Sequence, residues 1–142
     1  MKKLTTLLLM LAAAVACSRS ETVPFEEVRN YFFRNDAAIP SAPKVDSAEG
    51  FESLFGAAAF MGKDGTPTAI DFDKEFVIAV VDPKTDVATE LTPVSLEKRG
   101  DELIFTYKET LGEKLGWTMQ PLLLVKVGRS HDAPSVKLVR QQ

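Results

Sequence analysis

Cysteine, histidine and tryptophan each occur once in this 142-residue chain. A single Cys excludes a disulfide framework, a Cys-rich zinc centre and a CxxC redox pair. A single His excludes a multi-His metal site. Charge of one sign is also lacking: 17 Lys and Arg stand against 20 Asp and Glu, a net charge of -3. That leaves no basic footprint for nucleic acid. The apolar run Leu7–Val15 is shorter than the roughly 20 residues a membrane helix needs. Internal repeats and low-complexity tracts are missing too. What remains, 45% hydrophobic and 26% charged, is globular material of a length that suits one domain.

The N-terminus carries an address. Lys2 and Lys3 precede the apolar run, and small residues follow it up to the one Cys, which is the order of a secretory signal. Ala14-Val15-Ala16-Cys17 resembles the lipobox of bacterial lipoproteins, with Ala14 where Leu is usual. The resemblance implies a signal peptide over 1–16, acylation of Cys17 and a membrane as partner through the lipid. Residues 17–24 are then a lipidated tether and 25–142 a single globular domain. Ser18 in place of Asp after the Cys points to the outer membrane. Removing 1–16, whose charges are Lys2 and Lys3, takes the net charge from -3 to -5.

The body reads as strands with one helix. The aromatic stretch 29–36 predicts a strand, with a helix over 25–33 as the alternative on the spacing of Phe25, Val28 and Phe32. Ser47 is an N-cap candidate, with Glu49 in the first turn. Phe51, Leu54, Phe55 and Ala58 then follow at helical spacing, predicting a helix over 48–60. From Ile70 the period becomes two, and by Val77–Val81 both faces are apolar, as in a central strand covered on two sides. Further strands are expected over 87–98, with Pro93 marking a bulge or edge, over 103–107, 122–127 and 136–140. Residues 110–116 read as a loop. The expected fold class is α+β: a mostly antiparallel sheet or partly closed barrel of about six strands with one packed helix. Short connections argue for antiparallel neighbours.

The order of elements, with Ile70–Val80 and the later Gln120–Arg129 segment, resembles the C-terminal domain of the PrcB-type protease-complex proteins over about residues 28–140. That resemblance implies a non-enzymatic partner of a secreted protease. Thr85-Asp86-Val87-Ala88 stands where that family commonly has a Thr-Gly-Gly-aromatic turn, so the likeness supports the fold more than protease binding.

No convergent catalytic group is legible. Ser130-His131-Asp132 are neighbours, whereas a triad needs residues that meet in space. Asp71, Asp73 and Glu75 alternate along an extended stretch without the bent loop of a calcium site. Glu26 and Glu27 point to opposite sides of any regular element. Gly62–Thr66 lacks the order of a phosphate loop. No metal or cofactor is expected. Trp117 and its neighbourhood are the best contact candidate, because Trp is enriched at binding surfaces; a Trp closing the core is the plainer reading. Loops 82–87 and 110–118 are the expected contact elements, through Lys84, Thr85, Leu115 and Trp117. The functional expectation is a lipid-anchored envelope interaction module that modulates or escorts a secreted protease. The alternatives are a structural subunit of an envelope assembly, docking by strand addition along 136–140, and a carboxylate-dependent glycan or peptide hydrolase.

Overall fold

A computed structural model describes residues 20–142. The expected signal peptide over 1–16 and the expected acylation site Cys17 lie outside the described residues. In chain order the elements are β1 (Ser20–Thr22), β2 (Glu26–Val28), β3 (Tyr31–Phe33), β4 (Lys44–Val45), α1 (Ala48–Leu54), β5 (Phe55–Ala57), β6 (Glu75–Val81), β7 (Thr85–Arg99), β8 (Glu102–Met119), β9 (Leu122–Gly128) and β10 (Ser135–Gln141). One sheet has the order β1-β7-β8-β10, a second β2-β9-β6-β4, and β3 pairs with β5 alone.

The layers follow from side-chain alternation. Phe76, Ile78 and Val80 of β6 meet Leu96, Leu103, Phe105 and Tyr107 of the first sheet in one core. Val77 and Ala79, pointing the other way, join Phe33, Phe51 and Phe55 in a second core. β6 is therefore covered on both faces, as its unbroken apolar sequence predicts. The result is three layers: sheet, sheet, and α1 with the β3–β5 pair.

α1 starts where the sequence places it. Ser47 Oγ accepts from the Gly50 amide at 3.0 Å, and Phe51 turns into the second core. It ends at Leu54 rather than near 60. Phe55 pairs with Phe33 and Gly56 with Phe32, so extended pairing overrides the helical spacing. The Arg34 amide donates to the Leu54 carbonyl at 2.8 Å and Arg34 Nε to the Glu52 carbonyl at 2.7 Å, capping the last turn. A Cβ on Gly56 would lie 2.5 Å from the Phe32 ring, so only glycine lets Phe32 cover this strand.

Other expectations are corrected. The described residues hold ten strands, not about six, and the sheets do not close into a barrel. Of the strand expected over 29–36 only the three residues of β3 are extended and paired. Asn30, whose φ of 67° turns the chain, separates β3 from β2, which also excludes the alternative helix over 25–33. Residues 20–24, expected as tether, contribute β1, which pairs with β7 through Ser20↔Arg99 and Thr22↔Glu97, and a buried Val23. The expected loop 110–116 lies inside β8. β10 runs parallel to β8, because β9 crosses to the other sheet between them. Pro93 does sit at an irregularity, a register shift between Pro93 and Ser95.

Lys126 ties β9 to its neighbours. Its Nζ lies 3.3 Å from both Glu26 and Glu75 and donates to the Ala69 carbonyl at 3.0 Å. Burial opposes the charge, but the bonds to Glu75 and Glu26 outweigh it and raise the Lys126 pKa. A raised lysine pKa stabilises the fold fully below the unfolded value, and that contribution is lost as pH rises through the folded one. Lys126→Met is expected to flatten the alkaline fall in stability above pH 10.5, the ordinary lysine value. Urea denaturation from about pH 9 to about pH 12 reads this; a variant with the wild-type alkaline slope contradicts it.

Candidate functional site

β7 and β8 are far longer than the strands that flank them. β1 covers β7 only over Glu97–Arg99, and β10 covers β8 only from Glu102 to Lys108. Beyond that, residues 85–91 and 109–119 form a two-stranded ribbon with no strand on either outer edge among the described residues. Such a ribbon is marginal in water unless something packs on it.

Its pairing is irregular. Thr85 faces Met119 while Val87 faces Lys114, and a second shift separates Val87 from Thr89. β8 thus carries extra residues between Leu111 and Met119, and these bulge outward. Gly112 permits the close approach of the strands, since a Cβ there would sit 3.2 Å from that of Ala88. Gly112 and Gly116 gave 110–116 its loop-like look; in the fold they relax a strand.

The bulged segment presents apolar surface. Trp117 is 64% exposed and Leu111 61%. Ala88, Thr110, Gly112, Leu115, Trp117 and Met119 line a shallow groove of about 270 Å³. The Thr89 amide donates to Met119 Sδ at 3.4 Å, holding the groove's floor. Lys114 lies 3.7 Å from Asp86, an exposed pair of small energetic weight.

The four contact residues proposed from sequence thus fall at one end of the molecule. Lys84 is exposed in the β6–β7 connection, and Thr85 opens β7, its Oγ1 accepting from the Val87 amide at 3.1 Å. Leu115 and Trp117 share the groove, whereas Thr85 sits beside its far edge, opposite Met119. The reading of Trp117 as a core plug does not hold: its ring is outside.

The remaining sequence candidates do not converge. Asp132 turns its carboxylate to Lys44 and to the Ala133 amide, with Ser130 and His131 in the preceding 3-10 turn. Asp71 Oδ1 accepts from the Asp73 amide at 3.0 Å, and Glu75 from the Asp71 amide at 3.1 Å, which folds a turn rather than a cage. Glu26 pairs with Lys126 and Glu27 with Arg29. No cluster of three metal-ligating side chains occurs among the described residues. Compared with known protein families, curated proteins and solved structures, the chain matches none.

The ribbon is rooted by polar contacts. Arg140 of β10 reaches Asp82 at 2.6 Å, Glu109 at 3.0 Å and the Tyr107 hydroxyl at 3.0 Å. The Asp82 backbone accepts from the Gln120 side chain and donates to the Pro121 carbonyl. Both chain segments that lead into the ribbon are thus held at one point.

Sequence reasoning missed one exposed element. Phe60 is 58% exposed and Met61 101%, at the tip of the loop after β5. Helical spacing through Ala58 drew Phe60 into the end of the helix expected over 48–60, and left Met61 unremarked beside the turn. The signal was available in Gly62-Lys63-Asp64-Gly65, a turn sequence directly after an apolar pair.

Proposed function

We propose that this chain is a lipid-anchored interaction module of the bacterial envelope, acting through a protein partner held at the exposed β7–β8 ribbon. The observation that carries this reading is the Trp117 surface: a large apolar side chain, mostly exposed, on a ribbon with no strand on its outer edges among the described residues. Aromatic anchors of this kind supply most of the energy in protein interfaces.

The fold's polarity supports the arrangement. β1 enters beside Arg99, at the end of β7 opposite Thr85. The 15 residues of β7 span about 45 Å at strand rise. Acylated Cys17, three residues before Ser20, reaches at most about 11 Å from it. The ribbon's apolar end thus lies far along the molecule from the anchor, open to a partner in the aqueous space. A secreted protease is the partner class implied by the PrcB-type resemblance of Ile70–Val80 and Gln120–Arg129.

A second reading, a subunit of an envelope assembly, draws on β10, an edge strand of its sheet that can accept an added strand. The test is capture of the tagged, natively lipidated chain from gently solubilised membranes, with mass spectrometry of the mature N-terminus. A recurrent secreted protease, with an acylated Cys17, is the expected result. A fixed-ratio envelope machine favours the subunit reading. A clean preparation without any partner contradicts both.

A further inference from the structure

The loop between β5 and β6 is apolar at its tip and fixed at its base. Asn30 Nδ2 donates to the Asp64 carbonyl at 2.7 Å and to the Thr66 carbonyl at 3.0 Å. The Ala58 amide donates to the Asn30 carbonyl at 2.8 Å, and the Phe60 amide to the Gly65 carbonyl at 3.0 Å. Thr68 closes the loop: its amide donates to the Arg29 carbonyl at 3.1 Å, and its own carbonyl accepts from the Tyr31 hydroxyl at 2.8 Å. Gly62 (φ 121°) and Asp64 (φ 65°) take left-handed conformations. A Cβ on Gly65 would lie 1.9 Å from the Phe60 carbonyl oxygen, so glycine is required for the turn.

A loop held this way has already lost its conformational freedom. Phe60 and Met61 stand on it exposed, where free chain would fold apolar groups inward. Ordering costs are the main charge against loop-mediated binding, and pre-shaping removes them. We propose that residues 58–66 are an insertion loop whose Phe60 and Met61 seat in an apolar pocket of the protein partner.

The inference rests on the reading that the partner is a protein. Placement favours that occupant. Val28 pairs with Leu124 and Leu122 with Val81, so Asn30, two residues past Val28, lies toward the end of the second sheet from which the ribbon leaves. The loop base and the Trp117 ribbon therefore belong to the same end of the molecule, away from Ser20. Charge disfavours a bilayer: Lys63 and Asp64 cancel within the loop, and the chain is net acidic, whereas interfacial insertion is helped by basic residues facing anionic lipid.

The test is methionine footprinting of the full-length chain. Hydrogen peroxide transfers one oxygen to the Met61 thioether, giving the sulfoxide and water, and mass spectrometry reads the rate. Rates are compared for the purified protein, the protein in envelopes of the producing bacterium, and the protein on vesicles of phosphatidylethanolamine and phosphatidylglycerol. A partner at about ten times its Kd leaves about one loop in ten free, so Met61 oxidation in envelopes is expected to slow about ten-fold, with the full rate on vesicles. Equal rates in envelopes and in solution overturn the inference. Slowing on the bare vesicles overturns it in favour of a bilayer. Met119, in the ribbon groove, reports the other site: slow Met119 with fast Met61 leaves the ribbon reading standing and removes the insertion loop, and the reverse supports the loop while removing the ribbon. Asn30→Gly keeps the left-handed backbone and deletes both side-chain bonds. It is expected to speed amide exchange at Phe60 and to reduce the protection of Met61; unchanged protection shows that pre-shaping plays no part.

Discussion

Phe105→Ala is expected to lower stability by about 3–5 kcal/mol, the range for a fully buried aromatic cut back to a methyl. Phe105 is inaccessible to solvent. Its ring meets Phe25 edge-on at 5.9 Å and stacks over Tyr107 at 6.2 Å. It sits where β8 faces β6 and β9, so the cavity opens between the two sheets. Native domains hold only about 5–15 kcal/mol in total. A loss of this size shifts the melting temperature down by about 10–20 °C for a chain of this length. Thermal and urea denaturation measure it, with Val94→Ala, on the exposed side of β7, as a neutral control. A loss below about 1 kcal/mol shows that the two sheets do not pack as described.

Arg140→Met has the next largest effect. The guanidinium side chain is 40% exposed, but Asp82 and Glu109 are far less so, at 13% and 10%. Removing the cation leaves two poorly solvated carboxylates side by side. Breaking a fully buried pair costs about 3–5 kcal/mol; partial exposure of Arg140 reduces this to about 2 kcal/mol. The change also loosens the ribbon's root, because Asp82 holds the connections on both sides of it. Amide exchange should therefore rise first in residues 85–90 and 109–119. Adding Asp82→Asn and Glu109→Gln to Arg140→Met is expected to restore most of the stability. If the single variant is as stable as wild type, or the triple variant is no better than the single, the network does not root the ribbon.

The parts of the fold legible in sequence are those set by local alternation against a core. Leu103, Phe105 and Tyr107 alternate and do face inward. The apolar run 77–81 signals a strand covered on both sides, and β6 is one. Ser47 caps α1 as its residue type suggests. What was not legible depends on distant partners. Phe55 fits a helix by spacing, yet its pairing with Phe33 makes it a strand. Ser20–Thr22 is wholly polar, so hydropathy carries no trace of its place beside β7. The parallel pairing of β10 with β8 depends on β9 changing sheets, which no connection length reveals. At the candidate site, sequence brought forward Trp117 and Leu115 as residue types but not their exposure. Burial of a Trp is decided by whether a second layer covers it; the second sheet covers the ribbon's base at Leu91 but leaves Trp117 exposed.

The proposed function stands or falls with binding of a protein partner at the Trp117 surface of the ribbon. The most direct test is quantitative capture from solubilised membranes with wild type and with Trp117→Ala, the two being equally folded by circular dichroism. A central aromatic anchor is worth about 2–4 kcal/mol, or roughly 30- to 1,000-fold in Kd. A partner is expected to be recovered with wild type and lost with Trp117→Ala, with Leu115→Ala intermediate. The same partner recovered by Trp117→Ala in wild-type yield contradicts it.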